Sequence, residues 1–193
     1  MFLMIDNFDS FTYNIVNYVG ICGEKVDVIL NNEDFSKIDF SKYKGIFLSP
    51  GPSSPENAGI TLDVIKADID IPIFGICLGM QSIAYCYDGE VIHAKQTMHG
   101  KVDTITHFGC DIFKDLPESF RVVRYHSLAV NENKFPANFK ITAKSSDGEI
   151  MGMHHVSKPV YGVQFHPESY LTEYGIEMIK NFLGVCYEYR IGK

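Results

Sequence analysis

A glycine-framed cysteine, in the segment Gly75-Ile76-Cys77-Leu78-Gly79, constrains the fold most strongly. The apolar residues 71–74 before it are typical of a buried strand, and the residues after it can continue as a helix. A strand that turns directly into a helix puts the middle residue on a strained, exposed corner, and flanking glycines give the backbone room to turn. Because the N–H groups at a helix N-terminus favour a thiolate, Cys77 is a candidate nucleophile for attack on a carbonyl carbon. The simpler interpretation is a small apolar side chain at a tight strand–helix junction.

The first half of the chain alternates strand-like and helix-like segments. Its apolar patterns predict strands at 2–5, 25–30, 45–49 and 71–76. They predict helices that begin near Phe11, span 58–67, and run from Cys77 to about Tyr87. Alternating elements imply a mostly parallel sheet with helices on both faces, in which ligands bind at the carboxyl ends of the strands.

The second half consists mainly of short strand-like segments joined by turns. The predicted strands are 91–94, 101–106, 122–124, 140–144, 149–154 and 160–165. They indicate antiparallel additions, including a small secondary sheet, before a closing helix at 174–187. Because no repeat, low-complexity segment or linker interrupts the pattern, the sequence predicts an α/β fold with one domain over residues 1–193.

Charge and cysteine content argue against several classes of function. A net charge of -7 without a long block of one sign predicts no nucleic-acid or membrane partner. Five cysteines without CxxC pairing predict a cytoplasmic protein without a disulfide framework. The N-terminal residues lack the basic region of a signal peptide, and no apolar stretch approaches the roughly 20 residues that span a bilayer. Neither metal-ligand spacing nor a glycine-rich phosphate loop is present, so we expect no metal and no cofactor.

A cysteine nucleophile needs a base, and the base usually needs an orienting group. His166 is the best placed of seven histidines because it follows an apolar strand and so lies at the same sheet edge. Extended backbone puts His166 and Glu168 on one face, and Pro167 stiffens the pair. Glu168 can then accept from one ring nitrogen while the other faces the thiol. Alternatively, His166 caps a strand beside a solvated carboxylate, and His126 is a rival base.

Acyl transfer also needs N–H donors for the oxyanion. The amide of Leu78 follows the nucleophile directly and is the natural first donor. The rigid loop 49–52 can supply the second, because two prolines hold the backbone while Gly51 turns its N–H inward. Taken alone, this loop would be an ordinary strand-to-helix turn.

Four segments together resemble the class I (triad) glutamine amidotransferases: residues 49–52, 75–81, 125–128 and 164–169. They occur in the order typical of that family and span nearly the whole chain. The resemblance implies a Cys77–His166–Glu168 triad in a flavodoxin-like three-layer α/β/α fold, as one glutamine amidotransferase type 1 domain. It implies an oxyanion hole formed by the amides of Gly51 and Leu78. The residues implied to hold glutamine are Gly51, Pro52, Ser53, Gln81, Ser127 and Leu128.

Two positions depart from the commonest pattern of that family. Ser53 stands where many relatives have glycine, and Met80 stands where some have histidine. The Ser53 change is expected to alter the loop slightly, and Met80 is not expected to affect activity.

The N-terminal segment 6–14 resembles the glutaminase subunits of chorismate-using synthases, and residues 98–101 agree with that subgroup. These are anthranilate synthase component II and its para-aminobenzoate (aminodeoxychorismate) synthase counterpart. The resemblance implies that L-glutamine is hydrolysed through a cysteine thioester and that ammonia passes to a chorismate-converting synthase subunit in a hetero-oligomer. Tryptophan biosynthesis is favoured, with folate biosynthesis, or both, as alternatives. We expect both segments to contribute to the interface, although 6–14 can also be a helix entry with Asp9 or Ser10 as N-cap.

Three other functions stay open at this point. One is a different cysteine hydrolase on a similar sheet, such as a peptidase-like or deglycase-like enzyme. Another is a catalytically silent regulatory or binding subunit. The third is a flavin-binding module of flavodoxin type.

Overall fold

The computed structural model describes residues 1–192, which form eleven β-strands and four α-helices. The strands of the first half and the last strand are β1 (Phe2–Asp6), β2 (Val26–Leu30), β3 (Ile46–Leu48), β4 (Ile73–Ile76) and β11 (Val160–Val163). The others are β5 (Val91–His93), β6 (Lys101–His107), β7 (Ser119–Arg124), β8 (Leu128–Val130), β9 (Phe139–Ser145) and β10 (Ile150–His155). The helices are α1 (Thr12–Ile21), α2 (Ile60–Lys66), α3 (Leu78–Cys86) and α4 (Gly175–Ile191).

Nine strands form one sheet in the order β2-β1-β3-β4-β11-β10-β9-β6-β7. The pairings from β2 through β11 are parallel, so the carboxyl ends of β1, β3, β4 and β11 meet at one edge. In the β4–β11 pair, Ile76 lies opposite Val163. The residues that directly follow these two strands, Cys77 and Gln164, are therefore neighbours across the sheet edge.

The remaining strands of the large sheet continue it in antiparallel fashion, and β5 pairs with β8 in a separate two-stranded sheet. The predicted fold class is therefore confirmed. The three-residue strand β8 was not predicted, because so short a segment carries no readable alternation. Its place is fixed by pairing with β5, where Val130 lies opposite Val91.

Alternate side chains of β1 enter two different hydrophobic cores. Phe2 and Met4 pack in the core that contains the apolar faces of α1 and α4. Leu3 and Ile5 pack in the core that contains those of α2 and α3. Because successive residues of a strand point to opposite faces, this partition places two helices on each side of the sheet and makes the three-layer arrangement. Burying one such side chain contributes about 1.5–3 kcal/mol.

The predicted helix at 58–67 starts later than expected. A short 3₁₀ turn at Pro55–Asn57 precedes α2, which begins at Ile60. Gly59 separates them with φ 56°, and a Cβ there would lie 2.1 Å from the carbonyl oxygen of Asn31. The chain must pass close to Asn31 at this point. Because this contact is between segments distant in sequence, it leaves no periodic pattern from which the start of α2 could be predicted. Within residues 1–192, no helix has the length and apolar character to cross a membrane.

Candidate active site

Cys77 occupies the corner between β4 and α3. Its φ of 52° and ψ of −105° lie outside the regions that non-glycine residues favour, which costs on the order of 1–3 kcal/mol. The corner is fixed by a 2.8 Å hydrogen bond from the Cys77 N–H to the carbonyl oxygen of Val163 on β11. The predicted strain is confirmed, but the predicted exposure is wrong, since only 6% of Cys77 is accessible. The Gln164 side chain packs against the Cys77 sulfur, and the Gly51 loop packs on the adjacent Leu78.

The two glycines that frame Cys77 permit close backbone approach. A Cβ on Gly75 would lie 2.6 Å from the carbonyl carbon of Gly79. A Cβ on Gly79 would lie 2.3 Å from the carbonyl oxygen of Leu48 on β3. Both distances are shorter than any ordinary contact, so only glycine lets the first turn of α3 pack directly over the strand ends.

His166 and Glu168 form a buried pair just after β11. Nδ1 of His166 lies 2.6 Å from Oε1 of Glu168. The His166 N–H donates to the carbonyl oxygen of Val123 on β7 at 3.0 Å. The Thr172 hydroxyl donates to the His166 carbonyl at 2.7 Å and accepts from the Val123 N–H at 3.0 Å. These bonds fix the segment against β7 and fix the direction of the imidazole.

The charge of the imidazole is controlled by its neighbours. Burial alone lowers the pKa of His166, but the Glu168 carboxylate, followed by the Cys77 sulfur, outweighs burial and holds that pKa well above its ordinary value. Nε2 of His166 is buried and makes no hydrogen bond to any residue in 1–192. Such catalytic contacts are often loose before substrate binds. The structure thus brings the three predicted triad residues together around one ring.

Two aromatic rings enclose the imidazole. Phe11 lies edge-on to His166 with ring centroids 6.0 Å apart, and Tyr125 does so at 5.3 Å. Phe11 is the N-cap residue of α1 and makes no side-chain cap bond. The interpretation of Asp9 or Ser10 as N-cap is therefore wrong. Asp9 instead accepts from the Phe11 N–H at 2.8 Å, which braces the turn before the helix.

The predicted oxyanion donors are both available. Nowhere in the described chain does an acceptor bind the backbone N–H of Gly51 or of Leu78. A Cβ on Gly51 would lie 2.8 Å from Cδ2 of Leu78, so the two residues are in direct contact. The arrangement can present two N–H groups near the Cys77 sulfur.

Asn7 holds the loop that carries Gly51. Its backbone N–H donates to Oγ of Ser49 and its side-chain Nδ2 to the Ser49 carbonyl, both at 2.8 Å. Its Oδ1 accepts from Asn31 at 2.9 Å and from Thr61 at 2.7 Å. The sequence placed this residue only in a helix entry or an interface. Its side chain is in fact buried and makes three hydrogen bonds, a role that residue type alone does not reveal.

The residues expected to hold glutamine extend from the interior to the surface. Gln81 is buried and its Nε2 donates to the Leu128 carbonyl at 3.0 Å. Leu128 is half-buried, while Ser127, Pro52 and Ser53 are exposed. The structure therefore joins Gln81 to Leu128 directly and leaves the others at the rim.

Ser53 adopts φ 72°, in the left-handed region that favours glycine. This explains why glycine suits the position and why the serine is strained. Its Oγ accepts a 3.1 Å hydrogen bond from Nδ2 of Asn57, which partly offsets the strain. The serine therefore occupies a left-handed position and has a side-chain partner there.

His126 does not have the properties of a rival base. Burial, followed by the charge of Arg124, lowers the pKa of His126 to about 4, so the ring is neutral at neutral pH. Its Nδ1–H donates to the Leu128 carbonyl at 2.9 Å, and its Nε2 accepts from Nε of Arg124 at 3.1 Å. Arg124 is fully buried among carboxylates, with Asp103 at 2.6 Å and Glu149 as a second partner. Across residues 1–192, no cluster of His, Cys, Asp or Glu has the arrangement of a metal site.

The sequence is similar to a family of known proteins along nearly its whole length. The family model "Glutamine amidotransferase class-I" matches residues 3–186. The aminodeoxychorismate/anthranilate synthase component 2 of Bacillus subtilis is 47% identical over 186 residues, covering 95% of each chain. The bifunctional protein TrpGD of Thermotoga maritima is 46% identical over 187 residues, which are 95% of this chain but 32% of that protein.

A solved structure extends the likeness to three dimensions. A candidate GMP synthase subunit from Thermoplasma acidophilum superimposes with a TM-score of 0.88 at 28% identity, covering 98% of this chain and 95% of that one. The family model spans far more than half of the sequence, and the fold agrees with it. The chain therefore belongs to the class I glutamine amidotransferase family.

Proposed function

We propose that this chain is the glutaminase subunit of a chorismate-using synthase. It hydrolyses L-glutamine to glutamate and delivers the ammonia to a synthase subunit in a hetero-oligomer. The observation that carries this proposal is the buried group of Cys77, His166 and Glu168 beside the free amides of Gly51 and Leu78. These are the nucleophile, base, orienting carboxylate and oxyanion donors that acyl transfer requires.

The reaction begins with attack of the Cys77 sulfur on the side-chain carbonyl carbon of glutamine. The carbonyl oxygen becomes an oxyanion, which accepts hydrogen bonds from the N–H groups of Gly51 and Leu78. The C–N bond then breaks as the imidazolium of His166 gives its Nε2 proton to the leaving nitrogen, which departs as ammonia. The product on the enzyme is a glutamyl thioester.

In the hydrolysis of the thioester, His166 accepts a proton, whereas in the first step it donated one. Neutral His166 takes a proton from water, the oxygen attacks the thioester carbon, and the C–S bond breaks to release glutamate and the thiolate. The Glu168 carboxyl, 2.6 Å from Nδ1, orients the ring in both steps and favours its charged form.

Glutamine is held by Gly51, Pro52, Ser53, Gln81 and the backbone of Ser127 and Leu128. Gln81 uses its Nε2 on Leu128 and Gln164, and its Oε1 has no partner in the part of the chain that the structure describes. This acceptor is free for the α-ammonium group of the substrate. The exposed rim residues Pro52, Ser53 and Ser127 are then available to the α-carboxylate.

The partner subunit docks beside the segment 6–14. Phe8 and Tyr13 support this placement, because they are large apolar side chains that are 54% and 64% exposed. The His99 side chain in segment 98–101 is also exposed, whereas Met98 is buried. Coupling the two subunits prevents wasteful release of ammonia.

We assign the chain to anthranilate synthase and tryptophan biosynthesis, with aminodeoxychorismate synthase and folate biosynthesis, or both, as the alternative. The name of the Bacillus subtilis relative covers both roles in a single protein.

We propose that residues 1–193 form one domain and that the protein is cytoplasmic. The nine-stranded sheet, which contains strands from both halves of the chain, supports the single domain. The cysteines, all unpaired in the described range, support the cytoplasmic location.

Reconstitution with a synthase subunit tests this proposal. The chain is combined separately with anthranilate synthase component 1 and with aminodeoxychorismate synthase component 1, and each product is measured from chorismate with glutamine or with ammonium. The Cys77→Ala variant is expected to lose the glutamine-dependent reaction and to keep the ammonium-dependent one. Loss of both reactions in a folded variant that still binds the partner would contradict this division of labour.

A further inference from the structure

Gln164 is the fully buried residue that directly follows β11, and its side chain contacts the candidate nucleophile. Its Nε2 lies 3.5 Å from the Cys77 sulfur, a normal length for an N–H donor to sulfur. We propose that Gln164 is a further catalytic residue, whose side-chain amide donates a hydrogen bond to the attacking sulfur and stabilises its thiolate form. The catalytic consequence rests on the proposed function, whereas the contact itself does not.

The direction of this hydrogen bond is fixed by a series of hydrogen bonds that begins at a group able only to accept. A backbone carbonyl can only accept, so Gln81 must present its nitrogen to the Leu128 oxygen, at 3.0 Å. The same nitrogen donates its other proton to Oε1 of Gln164 at 3.0 Å. Gln164 is therefore forced to turn its own nitrogen, a donor, toward the sulfur.

A second set of contacts holds the Leu128 carbonyl, at which this series of hydrogen bonds begins. The Arg124 guanidinium has no acceptor, so its Nε must donate to Nε2 of His126. His126 then carries its proton on Nδ1 and donates to the same Leu128 carbonyl. The carbonyl is held by two donors, and Gln81 cannot rotate its amide without losing one of its acceptors.

The backbone places Gln164 with equal definition. Its N–H donates to the carbonyl oxygen of Met151 on β10 at 3.0 Å. The backbone N–H of Cys77 donates to the carbonyl oxygen of Val163, which directly precedes Gln164. Although 87 positions separate the two residues in sequence, the two backbones are tied to one sheet edge.

A donor at this position acts on the anion more strongly than on the neutral thiol. Hydrogen bonds to charged groups are about twice as strong as neutral ones, and burial keeps water from competing. One such bond corresponds to a roughly tenfold change in the balance between thiolate and thiol. The His166 imidazolium supplies charge, and Gln164 supplies a directed donor that needs no proton transfer.

The other titratable groups around the sulfur are present in every Gln164 variant. His166 lies at the end of β11 with Glu168 behind it. Asp9, before α1, and His126, after β7, act electrostatically on His166. An effect confined to the 164 side chain can therefore be separated from theirs.

The test measures alkylation of Cys77 by iodoacetamide in the isolated chain as a function of pH, with the modified peptide followed by mass spectrometry. Gln164→Met has similar volume and no donor, and Gln164→Glu keeps the acceptor for Gln81 but turns an oxygen toward the sulfur. Exposed Gln96 provides the matched control, Gln96→Met.

We expect Gln164→Met to move the midpoint of the alkylation profile up by about one pH unit and to slow alkylation at neutral pH roughly tenfold. Gln164→Glu is expected to move it further, and Gln96→Met is expected to match the wild type. A Gln164→Met or Gln164→Glu variant with a wild-type unfolding temperature and a wild-type profile would overturn the proposal. Because alkylation needs neither glutamine nor a partner, this result is independent of whether the chain proves to be a glutaminase.

Discussion

Nδ1 of His166 lies 2.6 Å from Oε1 of Glu168, although only Pro167 stands between the two residues in sequence. Both side chains are buried, and Oε2 of Glu168 has no partner within residues 1–192. A buried carboxylate with a single partner depends on that partner being positively charged. The pair therefore couples the orientation of the imidazole to its protonation.

Replacing Glu168 with glutamine is expected to lower the pKa of His166, because the largest stabilising charge on the ring is removed. Glutamine-dependent activity of the assembled synthase should fall by roughly 10³-fold or more, as when the orienting carboxylate of other triads is removed. The His166 pKa is measured by NMR titration. Glu118→Gln, at an exposed position, is the control and should change neither quantity. An unshifted His166 titration in Glu168→Gln would contradict the assignment.

The same pair predicts how stability depends on pH. Since the folded-state pKa of His166 is raised above its unfolded value, its stabilising contribution is fully present below about pH 6.5. It is lost as pH rises through the folded-state pKa, because the folded protein binds a proton that the unfolded chain has released. Urea unfolding from pH 6 upward should show this loss in the wild type and a smaller one in Glu168→Gln. Equal slopes for the two proteins would be inconsistent with the coupling.

Gly51→Ala is expected to displace the oxyanion loop, because the new Cβ would lie 2.6 Å from Cβ of Asn7 and 2.8 Å from Cδ2 of Leu78. Loss of one oxyanion donor corresponds to a roughly 10²–10³-fold fall in kcat. Gly184→Ala is the matched control, since nothing lies within 4 Å of its Cβ and it sits inside α4. The control should leave kcat unchanged and stabilise the fold by about 0.5–1 kcal/mol. Wild-type kcat in Gly51→Ala would exclude the loop from catalysis.

Thr172→Val removes the hydroxyl that bridges the Val123 N–H and the His166 carbonyl. The buried N–H is then left without an acceptor, which costs about 1–3 kcal/mol in the free energy of unfolding. Thr172→Ser retains the hydroxyl and should lose much less. Urea denaturation of the three proteins measures the difference, and similar losses in both variants would show that the bridge is unimportant.

The candidate triad could be predicted because its chemistry restricts residue types and each residue follows a recognisable strand. Cys77 and His166 were expected at one sheet edge from the alternating pattern alone. The Gln164 contact could not be predicted, because it depends on β11 returning to lie beside β4. Hydrophobic periodicity indicates that a segment is a strand, but it does not give the order of strands in the sheet.

The burial of certain polar residues also could not be predicted from the sequence. Arg124 is fully buried because the turn between β9 and β10 and the strand β6 bring carboxylates to it. A charged residue in a sequence is normally expected at the surface. Asn7 was likewise missed, since its partners Ser49, Asn31 and Thr61 come from three separate segments.

The five cysteines differ in the environment of their thiols. Burial raises the pKa of Cys86 and of Cys110 to about 11 and raises that of Cys186 as well. These thiols are therefore protonated and unreactive at neutral pH. Burial also raises the pKa of the Cys22 thiol. Among the cysteines of residues 1–192, Cys77 is the one that contacts a glutamine amide and lies beside the His166 imidazolium and the free N–H of Leu78.

The decisive measurement is covalent labelling of the assembled complex with a glutamine analogue that carries a diazoketone in place of the side-chain amide. Peptide mass spectrometry locates the label, and Cys77→Ala serves as the control. We expect one label per chain, on Cys77, that excess glutamine prevents and the control lacks. A label on any other cysteine, or an unlabelled Cys77 in a complex that still uses ammonium, would contradict the assignment of Cys77 as the nucleophile.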